Sequence, residues 1–257
     1  VQKRDIRIAM TLSRLLAVAA LASPLALALF AAVASAESGQ SSHSPSPGAH
    51  GDGHGHGQSP GHGADHLAHD FDDVEAYAKR FDDPARDAWQ KPDEVLAALG
   101  LKKGMRIADV GAGTGYFAIR LAEAPEAPTV LAADVSPAMV AHLKTRAENA
   151  GLANVVPVLA GMESANLPTA VDLVLVVDTY HHIGERVAYF RRLQTSMTPD
   201  ARLVIIDFRK DSPEGPPVEF RFEPEQITQE LGLAGFVLDA RHDFLPRQHF
   251  LVYRRAR

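Results

Sequence analysis

The sequence predicts an α/β fold: a Rossmann-like, seven-stranded, mostly parallel sheet that ends in an antiparallel hairpin. Three observations lead there. From residue 105 onward, short apolar runs alternate with amphipathic ones, the pattern of strands separated by helices. Two apolar runs, LVLVV at 173–177 and LVII at 203–206, show no polar alternation, as expected of strands covered on both faces. The last two runs, FVLDARHDF and HFLVYRR, are joined only by Leu245-Pro246-Arg247-Gln248. No crossover helix fits in so short a link, so these two strands pair antiparallel.

The chain has 257 residues, of which 46% are hydrophobic and 23% charged, enough for one α/β domain with extensions. It opens with a segment of another kind. Lys3, Arg4, Arg7 and Arg14 precede an uncharged run from Leu15 to Ala36, which ends Ala34-Ser35-Ala36. Residues 1–36 are therefore expected to be a secretory signal peptide cleaved after Ala36. An uncleaved membrane anchor is the alternative, disfavoured by Pro24 and the alanine richness of the run. Either way the folded domain is expected outside the cytoplasm, periplasmic or secreted. No twin arginine precedes the apolar run, because Lys3-Arg4 is followed by Asp5.

Residues 37–69 form a linker rich in Ser, Gly, Pro and His, too poor in apolar residues to fold. Its seven histidines are His43, His50, His54, His56, His62, His66 and His69. The favoured reading is a flexible tether, and the alternative is weak, non-catalytic binding of Zn, Ni or Cu. The domain proper is expected at 70–257. A net charge of −6 gives a nucleic-acid partner no support, and Arg254, Arg255 and Arg257 read as a solvated terminus. The absence of cysteine excludes disulfides and thiolate chemistry.

Within the domain, Val74, Tyr77, Ala78 and Phe81 have the spacing of an amphipathic helix, broken at Asp83-Pro84. A second helix is expected from Pro92 to Gly100. Strands are then expected at 105–110, 129–134, 155–160, 171–177, 202–207, 236–242 and 248–254, and helices at 115–123, 136–150, 185–196 and 223–231. Large aromatics on the first helices, Phe81 and Trp89, read as core before pocket wall.

The stretch MRIADVGAGTGYFAIRLA at 105–122 carries the chemistry. A strand runs into Asp109, glycines alternate at 111, 113 and 115, and a helix follows. Such a turn lets backbone approach a ligand, and the helix offers it free N–H groups. The next strand ends in a second acid, Asp134, placed to accept bonds from ribose hydroxyls or to cap the helix behind Ser136-Pro137. A dinucleotide fingerprint needs a third glycine at position 116, where Tyr116 stands, so a nucleotide-dependent oxidoreductase is disfavoured. No Gly-Lys-Ser/Thr follows, which removes the P-loop.

The remaining pattern, D-x-G-x-G-x-G over Asp109–Gly115 with Asp134 downstream, resembles motif I of the class I S-adenosylmethionine (SAM) methyltransferases. The likeness extends over about residues 70–257, and is nearest the methyltransferase type 11 and UbiE-like groups. It implies SAM as cofactor, with Asp109, Gly111, Gly113, Gly115 and Tyr116 around its methionine part and Asp134 on its ribose. The family often has Gly-Asp after the third strand, whose acid meets the adenine amino group; this chain has Gly161-Met162-Glu163. Met162 is expected against adenine and Glu163 in the polar role, or neither.

The fourth strand ends in Asp178, Thr179, Tyr180, His181 and His182. Polar groups leaving a buried strand together favour a site. Asp178 is expected beside the cofactor. Tyr180, His181 and His182 are the catalytic candidates, since methyl transfer to a hydroxyl or acidic carbon needs a base near neutral pH. Neighbouring histidines diverge, so only one of the pair faces the cleft, and the other reading is that both make structural hydrogen bonds. Asp207 ends the fifth strand, and Arg209 and Lys210 after it read as solvated. The expected function is methyl transfer from SAM to a small-molecule acceptor. The alternative is an exported, noncatalytic protein that holds a SAM-like ligand or metal, favoured by the mismatch between a cytoplasmic metabolite and an export signal.

Overall fold

The computed structural model describes residues 74–257. The signal peptide expected at 1–36 and the linker expected at 37–69 lie outside the described residues. Among the described residues no helix is long and apolar enough to cross a membrane.

Two short helices, α1 (Val74–Phe81) and α2 (Asp87–Gln90), are separated by a 3-10 turn at Pro84–Arg86 and followed by α3 (Pro92–Leu99). Asp83 accepts a bond from the Ala85 N–H and so starts the turn, and Gly100, at φ 56°, ends α3 in the left-handed conformation that glycine favours. The rest alternates: β1 (Arg106–Val110), α4 (Tyr116–Glu123), β2 (Thr129–Asp134), α5 (Pro137–Asn149), β3 (Val155–Leu159), β4 (Val171–Val177), α6 (Arg186–Leu193), β5 (Met197–Phe208), α7 (Pro224–Leu233), β6 (Phe236–His242) and β7 (Gln248–Arg255).

One seven-stranded sheet results, in the order β3-β2-β1-β4-β5-β7-β6. The β1, β2, β3, β4 and β5 neighbours pair parallel, whereas β7 runs antiparallel between β5 and β6. The expected seven strands and terminal hairpin are all present. The expected helices are present too, although the run at 185–196 ends as an α-helix at Leu193 and closes in a 3-10 turn over Gln194–Ser196. The single turn of α2 is too short to leave a periodic signal and has no counterpart among the expectations.

Both faces are covered, which explains the apolar runs. Ile107, Leu173, Leu175, Val204 and Ile206 pack with Val95 and Leu99 of α3, Phe117 and Leu121 of α4 and Leu143 of α5. The alternate residues Ala108, Val174, Val176, Leu203 and Ile205 pack with Phe190 and Leu193 of α6 and Ile227 and Leu231 of α7. Each strand thus contributes to two cores. The carboxyl ends of the parallel strands and the amino end of β7 meet at one edge of the sheet, where the strand order switches between β1 and β4, the place at which open α/β sheets bind ligands in a crevice.

Candidate functional site

Gly111, Gly113 and Gly115 shape the turn after β1, all at positive φ. Gly111 is required by packing: a Cβ there would fall 2.1 Å from Thr179 Oγ1, so glycine lets the turn close against the end of β4. The turn also fixes the second acid. Asp134 Oδ2 accepts the Gly113 N–H at 2.8 Å and Oδ1 accepts the Ser136 N–H at 2.9 Å. Ser136 in turn caps α5 by accepting the Met139 N–H. Ligand-type placement and helix capping are therefore shared between nearby residues: Asp134 faces the glycine turn, and Ser136 is the cap.

Two buried carboxylates lie together here. Burial and the nearby Asp134 charge push Asp109 up to about 7, against the pull of Arg86. Asp134 is also raised by burial, partly offset by its backbone N–H bonds. Beside them the ends of β2 and β3 form an apolar shelf open to solvent. Leu159 pairs with Asp134 across the strands, and Val135, Leu159 and Met162 are 42%, 52% and 63% exposed. Large side chains this exposed at the strand ends beside a carboxylate offer a surface that a flat apolar group would cover. Glu163 does not share it: its carboxylate pairs with Arg192 on α6 at 3.3 Å.

Across the crevice, the turn after β4 carries the histidines. His181 Nδ1 lies 2.9 and 3.0 Å from the two oxygens of Asp207 at the end of β5, and its backbone N–H donates to the same carboxylate. The Phe208 N–H donates to Asp207 as well, so the acid is fixed in place. Burial opposes protonation of His181, but Asp207, and then Asp178, outweigh it and hold the imidazole above its ordinary pKa. With Nδ1 engaged by the carboxylate, Nε2 is the nitrogen left for an acceptor. His182 is half-buried, its ring 4.2 Å from that of His181 and tilted by 40°. The two rings lie against each other, and Asp207 braces His181.

Tyr180, expected among the catalytic groups, is placed in the core. It has no exposed surface, stacks on Phe190 in the core, and donates its hydroxyl to Glu230 on α7, which Arg186 also grips. The 3-10 turn over Tyr180–His182 sends Tyr180 to Glu230 and His181 to Asp207. Tyr116, expected at the cofactor, is placed among the preceding helices. It lies between the guanidinium groups of Arg86 and Arg120, 4.1 and 3.9 Å from the ring centroid, and donates its hydroxyl to Asp87. It fastens the helices before β1 rather than facing the crevice.

Those helices form a cap. Asp82 pairs with Arg146 of α5 at 2.8 Å, and Phe81 lies 3.5 Å from where a Cβ on Gly113 would stand. Arg86 reaches Asp178 at 3.3 Å, and Gln248 Nε2 donates to the other Asp178 oxygen. Asp178, expected beside the cofactor, thus spends its carboxylate on the cap and on β7. Trp89 packs 5.7 Å from Phe208 at the end of β5, with Arg247 over its ring. Arg86, Gln90 and Gln248 escape sequence reading; the one available signal is a glutamine at the head of the buried strand QHFLVY. His249, directly opposite Asp207 in the pairing, is buried with neither ring nitrogen bonded. Among the described residues no group of three or more His, Asp or Glu is arranged to hold a metal ion.

Residues 101–232 match the family described as "Methyltransferase domain", just over half of the chain. The chain belongs to that methyltransferase family. Among solved structures, a SAM-dependent methyltransferase from Aquifex aeolicus is 28% identical with a TM-score of 0.64, over 69% of this chain and 96% of that one. Two curated relatives are the (S)-tetrahydroprotoberberine N-methyltransferase of Eschscholzia californica, 28% identical over 41% of this chain and 30% of its own length, and the 27-O-demethylrifamycin SV methyltransferase of Amycolatopsis mediterranei, 29% identical over 45% and 43%. The chain therefore spans less than half the length of the curated relatives it matches.

The cofactor of this methyltransferase family is SAM, and the crevice fits it on its own evidence. The exposed shelf of Val135, Leu159 and Met162 suits a purine face, beside a carboxylate with free lone pairs for ribose hydroxyls. Thr114 Oγ1 in the glycine turn is buried without a partner, a polar atom that a ligand would satisfy. Asp109 is buried beside the turn, its carboxyl raised to about 7 by burial and the Asp134 charge, and a cationic amino acid head docking there would favour its ionised form.

Proposed function

We propose that the domain transfers a methyl group from SAM to a hydroxyl of a small-molecule acceptor, with His181 removing the proton. The observation that carries this reading is the His181–Asp207 pair at the carboxyl edge of the sheet, across the crevice from the glycine turn. Bound SAM would supply an electrophilic methyl group on a sulfonium. The protein's task is then to hold both reactants in line and take up the acceptor's proton. Asp134 and the apolar shelf would hold the nucleoside, and Asp109 the amino acid end. Asp207 fixes the imidazole tautomer with Nδ1 protonated, so Nε2 accepts the proton, and it stabilises the imidazolium that forms. Relatives named as an (S)-tetrahydroprotoberberine N-methyltransferase and a 27-O-demethylrifamycin SV methyltransferase support a small-molecule acceptor. An amine acceptor loses its proton more easily and depends less on such a base.

The experiment is turnover of methyl-labelled SAM by the full chain against phenols, aliphatic alcohols and amines. Activity on a hydroxyl compound that falls at least about a hundredfold in His181→Ala supports the reading, the usual scale of lost general-base catalysis. Equal rates in His181→Ala and the parent protein contradict it.

We further infer that residues 1–36 export the domain and that the tract at 37–69 binds divalent metal weakly, without a part in catalysis. Support comes from the basic flank, the Ala34-Ser35-Ala36 end and the seven spaced histidines. The mass of the mature N-terminus tests the first, since an intact Leu15–Ala36 segment contradicts cleavage. Unchanged turnover after chelation is expected for the second, and loss of turnover contradicts it. Export also keeps a second reading in play, a noncatalytic holder of a SAM-like ligand, which binding without turnover on every acceptor class would favour.

A further inference from the structure

Where the cap meets the crevice, four side chains close a hydrogen-bonded ring. Arg86 Nε donates to Gln90 Oε1 at 3.1 Å, Gln90 Nε2 to Gln248 Oε1 at 2.6 Å, and Gln248 Nε2 to Asp178 Oδ1. Arg86 Nη2 completes it on Asp178 Oδ2 at 3.3 Å. The direction of each bond is forced. A guanidinium only donates and a carboxylate only accepts, so each amide between them must accept through oxygen and donate through nitrogen. Gln90 and Gln248 are 0% and 1% exposed, so a broken ring leaves desolvated polar groups that water does not reach.

The ring joins segments that are remote in sequence: the cap, the turn after β4 and the first residue of β7. Only Asp178 lies inside the stretch matched by the family. What the ring fastens sits on the glycine turn. Arg86 also donates to the Phe81 carbonyl at 3.0 Å, and the Phe81 ring covers Gly113. A ligand seated on the turn is therefore covered by the cap for as long as the ring is closed.

We propose that Gln90 and Gln248 are positioning residues of the cofactor site, latching the cap over the glycine turn through Arg86 and Asp178 and so setting how fast the spent cofactor leaves. This rests on the reading of the crevice as a SAM site, and it makes Asp178 part of the latch and not a cofactor ligand. The groups facing Asp178 are Arg86 from the cap, Asp207 from β5, His181 from its own turn and Gln248 from β7. Burial, and then Asp207, push Asp178 up to about 6 against Arg86 and His181. The latch needs the ionised carboxylate, so it holds above that pH and loosens as pH falls through it.

A charge relocation tests the latch. Gln248→Glu alone puts two carboxylates together, and Asp178→Asn alone turns an amide NH₂ toward the Gln248 NH₂. When the two changes are combined, the new amide at position 178 donates to the new carboxylate at position 248 while still accepting from Arg86. That carboxylate still accepts from Gln90, so the ring closes again with its charge moved. In the full chain, S-adenosylhomocysteine dissociation by stopped flow and hydrogen exchange of residues 74–99 are the readouts. Each single variant is expected to release the ligand about tenfold faster or more, the scale of one charged hydrogen bond, and to lose protection in the cap. The double variant is expected to recover both. Single variants that match the parent protein overturn the latch, as does a double variant no better than the singles. Should Gln248→Glu fail to fold, Arg86→Lys keeps the charge without the two-pronged geometry and is read the same way. A parent protein that does not bind S-adenosylhomocysteine contradicts the cofactor reading instead, so the two failures are distinct.

Discussion

At the scale of single residues, neighbours in sequence take opposite duties because the backbone turns them to opposite sides. Tyr180 goes into the core to meet Glu230, and His181 goes to the crevice to meet Asp207. Asp134 takes two backbone N–H groups and keeps lone pairs for a ligand. Asp134→Asn is therefore expected to weaken S-adenosylhomocysteine binding about tenfold or more by calorimetry while the fold survives; unchanged affinity would remove Asp134 from the site. Asp109 makes a pH prediction. Its carboxyl is raised from 3.8 in the unfolded chain to about 7 in the folded one, so between those values the folded state binds the extra proton. Stability then falls as pH rises from about 4 to about 7, with a slope of up to about 1.4 kcal/mol per pH unit from this group. Urea unfolding across that window should show a flatter profile in Asp109→Asn. His181 works the other way in turnover: as a base with a raised pKa it is active only when neutral, so the rate should climb with pH up to a value above 6.5.

At the scale of elements, the site is made where elements end. The apolar positions of α1, the Pro92 start of α3 and the strand and helix boundaries after β1 follow from periodicity and capping residues, which are local signals. The duties of the cap's side chains do not. Tyr116 marks where a dinucleotide fingerprint fails, but its sandwich between Arg86 and Arg120 needs the upstream helices to fold back over α4. Asp178 stands after a strand where a ligand acid would, and its partners Arg86 and Gln248 are 92 positions before and 70 after it. Spacing rules see one element at a time, so such contacts were not legible. The end of α5 that faces the glycine turn gives a test at this scale. Ser136→Ala removes the cap bond to the Met139 N–H and is expected to cost about 1 kcal/mol of stability. Because the Ser136 N–H still holds Asp134, ligand affinity should change little; a large loss would mean the hydroxyl itself touches the ligand.

At the scale of the whole molecule, the fold was legible because two cores share each strand. Uninterrupted runs such as LVLVV arise only when both faces are covered, and the short Leu245–Gln248 link fixes the hairpin. Removing one large group from either core should act on stability alone. Phe190→Ala, at a fully buried position beside Tyr180, is expected to cost about 3–5 kcal/mol in unfolding experiments and to leave ligand affinity of the folded protein unchanged. The identity of the cofactor was legible from Asp109 to Gly115 because close backbone approach demands glycine at fixed steps. The acceptor was not, because contacts between separate segments, such as Trp89 with Phe208 and Arg247, leave no local signal in the sequence.

The central claim is that this crevice is built for SAM, and thermal unfolding of the full chain tests it most directly, with S-adenosylhomocysteine and NAD added separately. At about 100 times its dissociation constant, a ligand specific for the folded state adds about 2.7 kcal/mol. S-adenosylhomocysteine should raise the midpoint accordingly and NAD should leave it in place. A shift with NAD and none with S-adenosylhomocysteine would contradict the account.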